Sequence, residues 1–95
     1  MIYDELLEAR LIFNVSERAT LREIKSRHRQ LVKLHHPDKG GVVDPGFIVQ
    51  INAAYAVLLD YVSTYRFSFT ESEFYAQNPD EQLRRQFADP LWDGR

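Results

Sequence analysis

Leu31-Val32-Lys33-Leu34-His35-His36-Pro37-Asp38-Lys39-Gly40-Gly41 decides the fold of this chain, because a helix running since Leu21 has to stop inside it. Pro37 has no amide hydrogen and a fixed φ, and it pushes His36 out of the helical region. An imidazole and a carboxylate are thereby held on either side of a rigid ring. The two glycines that follow let the backbone turn away from the tip. The loop divides a basic helix from an apolar one.

On the upstream side, Thr20 and Glu23 have the spacing of a capping box and start the second helix. At about 100° per residue, Leu21, Ile24, His28, Leu31 and His35 fall on one face. Arg22, Lys25, Arg29 and Lys33 fall in a separate arc less than a right angle wide. Four cations so close repel one another and cost some helix stability, a cost more easily understood if something negative binds there. Downstream, Asp44 is placed to cap a third helix with Pro45 at its first position. Ile48, Ile51, Tyr55, Leu58 and Val62 form its main apolar stripe, with Phe47 and Ala54 at the edge. A connection of about eight residues lets two such helices fold back antiparallel.

A short first helix is expected over about residues 3–13, with Leu6, Ala9 and Ile12 or Phe13 inward and Asn14 ending it. The fold class expected is all-α: a helical hairpin of residues 20–35 and 45–62, the first helix, and one or two short C-terminal helices. Val49, Ala53 and Ala56 put small apolar residues on the rear of the third helix. Tyr65, Phe67 and Phe69 alternate with polar residues and are expected to form an extended segment that covers this rear side. Thr70 with Glu73, and Asn78-Pro79 with Glu81, mark two further helix starts. Phe74, Tyr75, Leu83, Phe87, Leu91 and Trp92 are the apolar content of this tail, which is expected to pack on or flank residues 1–63.

Composition narrows the chemistry. With 44% hydrophobic and 13% aromatic residues, the 95-residue chain can form a core without metal or disulfides. It has no cysteine, which excludes thiolate zinc sites, thiol nucleophiles and a disulfide framework. His28 and His35 are expected to replace aromatics on the core face rather than to ligate metal, and no hydrolase elbow is present. No apolar run is expected to reach the ~20 residues that cross a bilayer. Met1-Ile2-Tyr3-Asp4-Glu5 has no basic leader character, so a soluble cytoplasmic protein is expected. Charge is unevenly distributed. Seven bases against three acids give Glu17 to Lys39 a net +4, which leaves −6 for the rest of a chain of net −2. A basic face on an acidic protein suits an acidic partner.

These pieces resemble a J domain, the cochaperone module of the DnaJ family, over about residues 3–62. Ala9 to Val15 resembles the end of the family's first helix, and Ala19-Thr20-Leu21-Arg22-Glu23-Ile24 resembles the start of its second. Leu31 to Lys39 resembles the approach to its loop. Ile48, Ile51, Ala54, Tyr55, Val57, Leu58 and Asp60 fit its third-helix pattern, with Ile48 where Phe is usual. Arg27-His28 stands where Ala-Tyr is common, Lys33-Leu34 exchanges the usual apolar-then-basic order, and His35 replaces a frequent Tyr. The family's basic fourth-helix sequence is absent after Asp60.

The resemblance implies a partner rather than a reaction. J domains bind an ATP-loaded, DnaK-type chaperone of the 70-kilodalton heat-shock class and stimulate its ATP hydrolysis, without being enzymes or needing a cofactor. Arg22, Lys25, Arg29 and Lys33 would meet an acidic surface of that partner. Asp38 would bond a partner arginine, His36 and Pro37 would hold the geometry, and Lys39 would add a contact. A client or adaptor is a further candidate partner for the C-terminal extension; neither nucleic acid nor membrane is expected. Two alternatives stand beside this reading: a helical nucleic-acid-binding domain using its second helix, and a J-like scaffold without stimulating activity. A connection longer than a helix-turn-helix allows counts against the first.

Asp38→Asn is expected to leave helical content and melting temperature nearly unchanged, because a loop tip has little to pack. Circular dichroism with a thermal melt measures this, and a loss of several degrees would make Asp38 structural.

Overall fold

Local capping signals set the helix boundaries. A computed structural model describes residues 1–35 and 45–88, with α1 at Tyr3–Phe13, α2 at Leu21–Leu34, α3 at Pro45–Thr64, α4 at Glu71–Gln77 and α5 at Pro79–Ala88. No strand occurs among the described residues, and the chain is all-α. It divides into two compact units, Met1–Tyr65 and Arg66–Arg95.

Asn14 ends α1 in the left-handed region (φ 53°, ψ 42°), its N–H directed to the carbonyls of Arg10 and Leu11. Asparagine tolerates this conformation better than most residues. Thr20 Oγ1 accepts the Glu23 N–H at 3.1 Å, and Glu23 Oε1 accepts the Thr20 N–H at 3.3 Å. This reciprocal cap is worth about 1 kcal/mol and fixes where α2 begins. His35 caps the other end, one residue earlier than the sequence suggested, its N–H bonded to Leu31 O at 3.1 Å. The expected cap at Asp44 lies outside the described residues.

The core of the first unit is Ala9 and Phe13 from α1, Ile24 and Leu31 from α2, and Ile51, Ala54 and Leu58 from α3. Phe13 and Ile51 are fully enclosed. Ala54, expected at the edge of the α3 stripe, belongs to its centre. Ile48, Tyr55 and Val62 form a half-buried rim instead. Two buried alanines, one each on α1 and α3, suit a close approach of those helices. Leu21, expected on the core face, is exposed, since the first position of a helix has neighbours on one side only. His28 stacks on Tyr55 while His35 lies against Phe47. Rising numbers on α2 therefore meet falling numbers on α3, and the two helices are antiparallel.

One expectation about α3 is corrected. By length and apolar composition, Gly46–Thr64 is long enough to cross a membrane. Ile51, Ala54 and Leu58 fill the core, yet the stretch is only 17% buried, and Gln50, Asn52 and Asp60 keep polar side chains at exposed positions. Val49, Ala53 and Ala56 are also exposed.

In the second unit, residues 66–69 carry neither helix nor strand. Thr70 Oγ1 accepts the Glu73 N–H at 3.3 Å to begin α4, and Pro79 opens α5 after Asn78. Arg85 ties the two helices together: it pairs with Glu71 and donates to the Tyr75 hydroxyl at 2.8 Å. The Tyr75 hydroxyl and then the Glu71 carboxylate push its pKa up further. α4 buries no residue, and Phe69 is 95% exposed. A unit this small has too little surface to enclose a core of its own. Leu91 and Trp92 lie outside the described residues.

Candidate functional site

The site is built on the face of α2 opposite its buried residues. Ile24 and Leu31 anchor the helix inward, and Arg22, Lys25, Arg29 and Lys33 are all exposed on its outer side. None of the four makes an ion pair with another described residue. The remaining members of the predicted site, His36, Pro37, Asp38 and Lys39, lie outside the described residues. The structure thus brings together the four helical cations on one face.

Arg27 has a different task, which sequence reasoning missed. Its Nε–H donates to the carbonyl oxygen of Phe13 at 2.8 Å, and its Nη1 donates to Gln30 Oε1 at 3.3 Å. The last carbonyls of a helix have no partner within it. A guanidinium from α2 satisfies one at the end of α1 and joins the two helices. The signal was available: Arg27 falls on the edge of the core stripe, away from the arc of the other cations, where a long side chain can run along apolar surface.

His28 and His35 fix α2 against α3 at two levels. The His28 ring lies flat on Tyr55, with centroids 3.8 Å apart and planes 5° from parallel. Its Nε2 is 3.1 Å from Asn52 Oδ1, so the ring presents an N–H there. Phe13 lies beside both rings, 6.2 Å from His28 and 6.0 Å from Tyr55. His35 meets Phe47 at 4.3 Å, tilted by 46°. Both imidazoles occupy aromatic positions as expected, but half-buried rather than buried. The polar edge of an imidazole is accommodated more readily where water or an amide can reach it. Among the described residues, no group of three His, Cys, Asp or Glu side chains is placed to hold a metal ion. The His35–Phe47 contact also brings together the two ends from which residues 36–44 depart. Beside it, Leu34 is exposed next to Lys33, the consequence of the Lys-Leu order noted above.

A helical hairpin with a basic outer face and a His-Pro-Asp connection defines the class, and comparison with known proteins agrees. Residues 11–66 match the DnaJ domain family, and the chain belongs to that family. Over 49 residues it is 47% identical to the chaperone protein DnaJ of Ureaplasma parvum serovar 3 (strain ATCC 700970). The aligned stretch is 52% of this chain and 13% of that chaperone. No solved structure matches the chain.

Arg27→Ala should lower unfolding stability by about 1.5–3 kcal/mol, the range for a hydrogen bond made by a charged group. Arg27→Lys should recover only part, since an ammonium lacks the fork that reaches both Phe13 O and Gln30. Urea midpoints measure both, and an unchanged midpoint in the alanine variant would remove Arg27 from the account.

Proposed function

We propose that this chain is a J-domain cochaperone that binds an ATP-loaded DnaK-type chaperone and stimulates its ATP hydrolysis. The observation that carries the reading is the outward set of Arg22, Lys25, Arg29 and Lys33 on a helix whose opposite face is locked into the core. Family membership supports it, because the matched region includes both α2 and the loop after it. The basic stripe steers the chain towards an acidic surface, raising the association rate and fixing the register. Asp38 then makes charge-assisted hydrogen bonds to a partner arginine, His36 and Pro37 hold that geometry, and Lys39 adds a contact. The chain itself performs no chemistry. Stimulation requires that it bind the hydrolysis-competent conformation of the partner better than the alternative, for equal binding would shift nothing. On this reading residues 1–63 are the stimulating module, acting in the cytoplasm, and residues 64–95 are an extension that packs on or flanks it and engages a client or adaptor.

Stopped-flow association with an ATP-loaded DnaK-type chaperone tests the role of the stripe. The double variant Lys25→Glu/Arg29→Glu should associate at least about tenfold more slowly at low salt, and the deficit should shrink as salt screens the surface. Gln50→Ala, on an exposed part of α3, should associate as wild type does. Equal rates for the charge-reversed and wild-type proteins would remove α2 as the docking face.

A further inference from the structure

α1 carries more apolar surface than its core face uses. Ala9 and Phe13 are buried and Leu6 packs beside them. Tyr3, Leu7 and Leu11 recur at four-residue spacing on another side of the same helix. Tyr3 is 71% exposed and Leu11 64% exposed. From this ridge Leu6 and Leu7 lead into an open groove completed by Val15, Leu58, Tyr61 and Val62, between α1 and the last turns of α3. Contiguous exposed apolar surface marks an interaction site. The surroundings indicate what could cover it. By helical spacing the exposed Asp4 and Glu8 lie along one edge of the ridge, Glu17 stands on the wall of the groove, and none of the three is ion-paired with a described residue. One cation, Arg10, also lines the groove, its Nε–H donated to the carbonyl oxygen of Val15 at 3.2 Å, which leaves three acids against one base around the ridge and groove.

We infer that this ridge and groove bind an amphipathic helical segment of a partner protein whose apolar row is edged by lysine or arginine. The apolar row fills the groove and covers Tyr3, Leu7 and Leu11. The cations meet Asp4, Glu8 and Glu17. This surface has the opposite sign to the stripe on α2, so an acidic partner drawn to α2 is repelled here. The chain therefore has two docking faces that select partners of opposite charge.

The test is an amide-resonance titration of the full chain with two synthetic helical peptides, one with leucines edged by lysines and one with glutamates in place of the lysines. The lysine peptide should shift resonances of α1 and of Leu58, Tyr61 and Val62. Its affinity should fall about tenfold in Tyr3→Ser/Leu11→Ser, two exposed positions whose loss should leave the far-ultraviolet spectrum unchanged. Asp4→Asn/Glu8→Gln should weaken it several-fold, and His36→Gln should not affect it, which separates this inference from the chaperone reading. Equal binding of the glutamate peptide, binding mapped elsewhere, or no binding would overturn the inference. So would concentration-dependent sedimentation of the chain alone that Leu11→Ser abolishes, since the face would then belong to a second copy.

Discussion

Three helices meet at Phe13, whose ring lies beside the stacked His28 and Tyr55 and whose carbonyl oxygen receives the Arg27 guanidinium. One residue at the end of α1 is therefore held through its side chain by α3 and through its main chain by α2. Rotation of α2 about its axis would break the Arg27 hydrogen bond and the His28 stack together. With that rotation fixed, the positions of Arg22, Lys25, Arg29 and Lys33 follow, because they lie on the opposite side of the same cylinder. The basic face is a consequence of how the core is closed.

Electrostatics adds the second constraint. Like charges in one narrow arc work against the helix that carries them, and the described structure supplies no carboxylate to offset them. Hairpin packing and the Thr20–Glu23 cap must hold α2 in place against that repulsion. In return the chain keeps a concentrated positive field on one side while its overall charge stays at −2. Such a separation favours fast, oriented encounter with an acidic surface over general adhesion to any polyanion. The acidic, apolar surface on α1 places the opposite character elsewhere on the same unit.

Much of this was legible in the sequence, and the parts that were not share a cause. Capping residues act within one turn, so Thr20, Glu23, Asn14 and Pro79 located their helix ends to within a residue or two. The outward arc of α2 followed from helical periodicity alone. Arg27 did not, because periodicity gives the direction of a side chain and not the identity of the carbonyl waiting there. Ala54 was placed with Phe47 at the edge of its stripe by position on the helix, whereas its small volume suits the centre of a close helix pair. The apolar extent of α3, though not its bounds, was underestimated because Gln50 and Asn52 interrupt its apolar run in sequence without interrupting the helix. The second stripe of α1 was overlooked for a similar reason: once Leu6, Ala9 and Phe13 had been assigned inward, Tyr3, Leu7 and Leu11 were left without a partner to reveal them.

On the function proposed above, the His-Pro-Asp sequence of the α2–α3 connection and the basic face of α2 together accelerate hydrolysis in another protein. Single-turnover ATP hydrolysis by a DnaK-type chaperone, measured with wild-type chain and with His36→Gln, tests it most directly. The account predicts a rate well above basal with the wild type and a return to the basal rate with the variant. Basal hydrolysis with both proteins, or equal stimulation by both, would contradict it.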